Sequence, residues 1–229
     1  MEQAVQIVIG GLLQGSVFAL LALGFALVYR VTGVINLAQG AFCILGALLM
    51  YSLEVSFGWP VAAAAVVAVA ITTLTGALLG ALTFVPALAR LPPSSMLMLT
   101  VGLLTFLEGL SLVLWGSQPY ALPPFSGEAP VAAFGVRLPT QGFWIAGAAL
   151  MIVIGFWYLL MRTRLGEALR ACAENPTAAR LMGIDVPRMT LLSFTLAGCI
   201  AAIGGVVVAP ILSFQFDTGR FFTISGLLP

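Results

Sequence analysis

Apolar residues run along this chain in six long blocks, at 5–29, 35–53, 61–85, 96–115, 143–161 and 189–212. Each has about the length that a helix needs to cross the hydrocarbon of a bilayer, roughly 20 residues. The pattern predicts an all-α fold: a polytopic transmembrane helix bundle of six spans forming one domain over residues 1–229. Residues 116–142 hold five of the thirteen prolines and predict an extended, turn-rich loop, because proline removes a backbone donor and fixes φ. Residues 213–229 are too short and too interrupted to span. Two blocks carry pairs of glycines four apart, Gly11–Gly15 and Gly76–Gly80. Such pairs let helix backbones approach closely.

The longest polar island is 162–188, RTRLGEALRACAENPTAARLMGIDVPR, with five of the nine arginines and three of the eight acids. Thr163 is placed to cap a first helix, and Leu165, Leu169 and Cys172 give it a narrow apolar stripe. Glu167 lies within reach of Arg164 or Arg170, and Arg170 and Glu174 stand four apart, the spacing of a helical ion pair. Pro176 disfavours a helical Asn175, so the first helix stops there. Asn175 then caps a second helix that has Pro176 at its first position, and Gly183 ends it. The result is two short helices with a corner. A topology signal alone explains the arginines, but not the caps and the elbow, which point to a docking element for another protein.

Sidedness follows from the arginines. With six spans, one side receives Arg30, Arg90, Arg162, Arg164, Arg170, Arg180 and Arg188, and the other only Arg137 and Arg220. The positive-inside rule makes the first side cytoplasmic and the N-terminus external. Composition agrees: 61% of residues are hydrophobic, 7% are charged and the mean hydropathy is +1.14, whereas a soluble domain carries about a quarter charged residues. Lysine and histidine are both absent. Their absence excludes a phosphate-binding loop with its lysine, a lysine Schiff base, an imidazole base and a histidine zinc site. Cys43, Cys172 and Cys199 fit no metal spacing, so no metal, cofactor, catalytic group or disulfide is expected.

Polar groups inside the blocks are few. Glu108 is the one ionisable residue well inside a span, roughly 10 Å from its external end by helix rise. A carboxylate there must face protein or water. It serves either as a pathway group or as a hydrogen-bonded packing residue. Thr32, Asn36 and Gln39 are spaced to share one face of a helix. This stripe enters the membrane from the cytoplasmic side and either marks a broken helix beside a central pathway or bonds neighbouring helices. Gln14 is a further candidate of this kind.

Two segments together carry a resemblance: the loop RTRLGEALRACAENPTAARLMGIDV and, near the N-terminus, GSVFALLALGFALVYRVTGVINLAQGAF. The chain resembles the permease subunits of ABC importers for branched-chain amino acids, over essentially its whole length. The resemblance implies that the cytoplasmic elbow couples to an ATP-hydrolysing subunit through Gly166, Arg170, Ala171, Glu174, Asn175, Ala179 and Gly183. It also implies the inner (plasma) membrane with its lipid, ATP-binding subunits, a second permease subunit and an external substrate-binding protein, with no nucleic acid among the partners. Where the family shows an Asn-Phe-Ala-His-Gly-like run, this chain reads Asn36-Leu37-Ala38-Gln39-Gly40 and so lacks the titratable ring. The family pattern continues into further helices, so the chain is expected to be C-terminally incomplete, with apolar packing surface left open.

Two other classes compete with a permease. An intramembrane protease lacks its histidine, and Asp185 and Asp217 lie outside the spans. An ion-coupled secondary transporter needs several intramembrane charges, and the blocks hold Glu108 alone.

Overall fold

The computed structural model describes residues 2–88, 90–125, 131–133, 136–138 and 140–227. Ten helices and one small hairpin follow one another along them. The helix α1 (Glu2–Thr32) is followed by α2 (Gln39–Tyr51), which runs on through a wide π-helical turn at Ser52–Ser56. Next come α3 (Val61–Leu79), a second π turn (Gly80–Phe84), the short α4 (Val85–Leu88) and α5 (Pro93–Trp115). An antiparallel hairpin, β1 (Val131–Ala133) and β2 (Val136–Leu138), precedes α6 (Gln141–Arg162). The elbow is α7 (Arg164–Glu174) and α8 (Pro176–Leu181), and α9 (Val186–Val208) and α10 (Thr218–Leu227) follow it.

Six of these stretches are long and apolar enough to cross a membrane: Gly10–Thr32, Gln39–Ser56, Val61–Leu88, Ser94–Trp115, Gln141–Arg162 and Val186–Val208. The all-α bundle of six spans therefore stands, with boundaries moved by a few residues. Its centre is α2 and α9, of whose spans 61% and 67% are buried inside the protein, against 11% for α6. An outer helix can spend its apolar face on lipid. A central helix must fit other helices on all sides, and here that fit is made by glycine.

A Cβ built at Gly205 of α9 would overlap the carbonyl of Cys43 on α2, and one at Gly46 of α2 would stand 3.0 Å from the Ala202 backbone. The two glycine pairs of the sequence separate on the same test. Gly76 faces Gly198 at 3.6 Å and Gly80 meets the Phe194 side chain at 3.1 Å, so this pair seats α3 on α9. Gly11 and Gly15 face open space.

One end of the bundle carries an aromatic cluster suited to a membrane–water boundary. The Trp115 indole N–H donates to the Ser52 hydroxyl at 2.6 Å, and the Tyr120 hydroxyl donates to the Trp115 carbonyl. The Tyr51 and Tyr120 rings lie 4.7 Å apart. Tyr120 and Phe214 exchange backbone hydrogen bonds of 2.9 Å, which tie the proline-rich segment to the chain beyond α9. Gln141, at the start of α6, locks the same corner: its amide donates to the Val207 carbonyl and its oxygen accepts from the Phe125 N–H.

The expected polar face of Thr32, Asn36 and Gln39 does not form, because the three are not on one helix. Gly33, with φ of 70°, ends α1 directly after Thr32. The Asn36 side-chain oxygen accepts from the Ala38 N–H in a local turn, and Gln39 opens α2. The backbone adopts the broken helix, and the other reading for this stretch is met as well, because Gln39 bonds a neighbouring helix at the Ala197 carbonyl of α9.

Candidate functional site

Two places gather polar groups in this apolar protein: the break ahead of α2, and the elbow.

At the break, α2 starts deep in the bundle, level with the middle of α9. The Gln39 amide donates at 2.9 Å to the carbonyl of Ala197, half-way along α9. On the other side the Gln39 side chain lies against Gly24, two turns in from the end of α1; a Cβ at Gly24 would overlap the amide nitrogen. Asn36 and Gln39 are both fully buried, and the Asn36 Nδ2 and Gln39 Oε1 atoms have no hydrogen-bond partner. Buried polar atoms left in this way typically cost about 1–3 kcal/mol each. Gln14, the third residue of this group, belongs to α1, but its side chain lies outside the described residues.

The last helix, α10, closes over this break. A Cβ at Gly40 would run into the Gly219 carbonyl, and one at Gly219 would stand 3.1 Å from the backbone of Ala41. The Thr223 hydroxyl accepts from the Gly40 N–H at 3.2 Å and is within donating distance of the Leu37 carbonyl, 3.0 Å, and of the Gly219 carbonyl, 2.9 Å. It thereby satisfies one of the amide groups that a helix start leaves open. Residues 213–227, the described part of this tail, form no span. Their helix is instead a short one, folded back against the bundle.

This placement also corrects the picture of Glu108 as a lone intramembrane charge. Arg220, expected among the loop arginines, reaches it from α10: its Nε lies 2.8 and 2.7 Å from the two carboxylate oxygens, and its Nη2 completes an ion pair. The packing reading of Glu108 gains a named partner. The partners differ in exposure, 3% for the Glu108 side chain and 59% for that of Arg220. Losing the arginine orphans a buried carboxylate, whereas losing the acid leaves a guanidinium that still reaches its surroundings. Arg220→Gln is therefore expected to lower the melting temperature in detergent more than Glu108→Gln does. The double variant should recover part of the Arg220→Gln loss, and thermal unfolding of the three variants would expose a failure of this order.

The elbow folds much as its local sequence dictates. The Thr163 hydroxyl accepts from Gly166 N–H at 3.1 Å, and the Asn175 side chain accepts from both Thr177 and Ala178 N–H at 3.0 Å. Gly183, with φ of 85°, ends α8 as the Ile184 N–H returns to the Ala179 carbonyl. Asp185 caps α9 through the Arg188 N–H and pairs with the Arg188 side chain at 2.9 Å. Replacing Asn175 by Ala should destabilise α8 by about 1 kcal/mol, the usual worth of an N-cap. Hydrogen exchange at Thr177 and Ala178 reads this directly, and unchanged protection would refute the cap.

Of the seven residues that the resemblance singles out, five shape the elbow itself. Gly166 packs against the Leu159 carbonyl and Leu160 of α6, where a Cβ would not fit. Ala179 is buried in a small core with Val31, Leu169, Cys172, Val186 and Met189, and Ala171 packs against it. Asn175 and Gly183 are the cap and the stop. Arg170 and Glu174 are exposed, but the expected ion pairs of Arg170 and Glu167 do not form. Among the described residues the ion pairs are Arg188–Asp185 and Arg220–Glu108, and the Arg170 guanidinium instead rests on the Met161 sulfur at 3.4 Å. Cys172 is buried, and burial pushes its thiol up while Arg180 draws it back.

The stripe expected of α7 is only partly covered, since Leu165 is exposed beside buried Leu169 and Cys172. More telling are two side chains that the sequence reading passed over. Leu181 and Met182, at the end of α8, are 85% and 82% exposed, amid the most polar stretch of the chain. Their signal was present in sequence as a Leu-Met pair between Arg180 and Gly183.

The chain matches a family described as branched-chain amino acid transport system / permease component over residues 7–228. It is 29% identical to a probable branched-chain amino acid transport permease protein LivH of Methanocaldococcus jannaschii, over 94% of this chain and 70% of that protein. It is likewise 29% identical to the high-affinity branched-chain amino acid transport system permease protein LivH of Escherichia coli, over 86% of this chain and 68% of the other. The ribose import permease protein RbsC of Escherichia coli is 28% identical over 93% of this chain and 64% of its own length. No solved structure matches.

Proposed function

The chain belongs to the branched-chain amino acid transport system / permease component family, and from that premise we propose that it is the membrane-spanning subunit of an ATP-driven importer of branched-chain or related amino acids. It works in the inner (plasma) membrane beside a second permease subunit, with a substrate-binding protein outside and ATP-hydrolysing subunits at its arginine-rich end.

One observation supports this reading above the others: a rigid elbow presents an apolar tip to the aqueous side. Unpaired apolar side chains on a polar surface mark a place where another protein sits. The capped helices hold the tip in place, and Gly166, Ala171, Asn175, Ala179 and Gly183 give the elbow its thinness and its corner. To the translocation pathway we assign Asn36, Gln39 and Glu108, the polar groups buried inside the membrane-spanning bundle.

The test is uptake by vesicles holding the assembled complex. Uptake of a branched-chain amino acid should require ATP on the elbow side and persist when ion gradients are collapsed. Uptake driven by an ion gradient without nucleotide would replace this reading with the ion-coupled transporter.

A further inference from the structure

A crevice of about 500 Å³ lies between α1, α6 and α7 at the arginine-rich end of the bundle, on the membrane side of the elbow. Its walls change character with depth. Leu27 on α1 and Phe156 and Leu160 on α6 form an apolar interior, while Arg30, Arg170 and Glu174 stand where the walls meet the polar end. Leu27 is about one helical turn in from Arg30, so grease and charge are separated by the distance that separates an acyl chain from its headgroup. Its volume falls within the usual range for ligand sites, about 300–1,000 Å³.

The charges here are not paired with one another, although the Arg170 guanidinium rests on the Met161 sulfur at 3.4 Å. Arg30 and Arg170 are exposed and belong to no ion pair among the described residues, and Glu174 is likewise unpaired. Two guanidiniums and one carboxylate leave the rim with a single net positive charge. Arginine matches phosphate geometry through its planar fork. Basic pockets between membrane helices at this level take lipid headgroups.

We propose that this crevice is a binding site for an anionic phospholipid, with a phosphodiester between Arg30 and Arg170 and one acyl chain against Leu27, Phe156 and Leu160. The carboxylate of Glu174 selects the headgroup. It repels a second negative charge and accepts hydrogen bonds from hydroxyl groups, which fits a singly charged glycerol headgroup and thus phosphatidylglycerol. Because α7 forms one wall, the bound lipid would brace the elbow against the bundle. The site shares Arg170 and Glu174 with the coupling set that the resemblance implies, and lipid retention by the chain without a partner protein tests it separately from transport.

The experiment is native mass spectrometry of the full chain released from nanodiscs of equimolar phosphatidylglycerol, phosphatidylethanolamine and phosphatidylcholine. Phosphatidylglycerol should be retained about tenfold over phosphatidylcholine, the scale expected of two interfacial arginines partly offset by one acid. Arg30→Gln/Arg170→Gln should remove the preference, and Ala26→Trp, which fills the crevice from α1, should remove the retained lipid while leaving both arginines in place. Equal retention of the three lipids by the parental chain, or a preference that survives the double arginine substitution, would overturn the site. Retention of phosphatidylethanolamine at the level of phosphatidylglycerol would overturn the headgroup assignment. Competition by glycerol phosphate without acyl chains as effective as that by the lipid would show a free-phosphate site in its place.

Discussion

A complex assembled with Leu181→Asp/Met182→Asp in this chain should insert normally, yet lose nearly all transport and the stimulation of its ATPase. The two side chains are the most exposed large apolar groups of the elbow. Burying a side chain of this size in a partner's cleft stabilises a complex by about 1.5–3 kcal/mol. Putting a carboxylate at each position removes that gain and adds a desolvation penalty. Even a loss of about 2 kcal/mol, the threshold for an interface hot spot, weakens docking roughly thirtyfold. Insertion and melting temperature should hardly change, since neither side chain packs within this chain. Conservative variants, Leu181→Met and Met182→Leu, should retain most activity. Wild-type uptake by the aspartate variant would remove the tip from the docking surface.

The second large effect lies at the centre of the bundle. Gly205→Val should prevent accumulation of folded protein, because its Cβ would occupy the place of the Cys43 carbonyl. The obstruction is backbone, so no rotamer change relieves it, and α2 and α9 must separate. Overpacking a well-fitted core typically costs about 1–3 kcal/mol and more where backbone must shift. Every contact along the two most buried helices is spoiled at once, so the upper end applies. Gly15→Val is the control: its site faces open space, and membrane yield should be that of the parent. Size-exclusion profiles of the two variants check the contrast, and a monodisperse Gly205→Val protein would contradict the packing described here.

The sequence reading succeeded where physics is local. A bilayer demands a minimum helix length, so the six spans could be counted from hydropathy alone. Caps are likewise set within four residues, which is why Thr163, Asn175 and Gly183 were placed correctly. It failed where the partner is distant. Glu108 and Arg220 are 112 residues apart, and Gly40 and Thr223 are 183 apart. No spacing rule links either pair, so hydropathy alone puts Arg220 in a loop and gives residues 213–229 no partner in the bundle. The helical face drawn through Thr32, Asn36 and Gln39 failed for a related reason. Spacing of four and three assumes continuous helix, and only the positive φ of Gly33 reveals the break. Which glycine pair makes contact was also beyond the reach of sequence, since GLLQG and GALLG have the same form and only the packing of α9 distinguishes them.

The Thr223 hydroxyl has a mechanical consequence. As a side chain of α10, it accepts from the Gly40 N–H in the first turn of α2 and lies within donating distance of the Leu37 carbonyl just ahead of that helix. Sliding one helix past the other would strand the buried Gly40 amide, typically a cost of about 1–3 kcal/mol for a small displacement. The two helices must therefore travel as one body. Any rearrangement that opens this end of the protein is left to the joints on either side: residues 33–37 ahead of α2, with the left-handed Gly33 at their start, and residues 209–217 between α9 and α10.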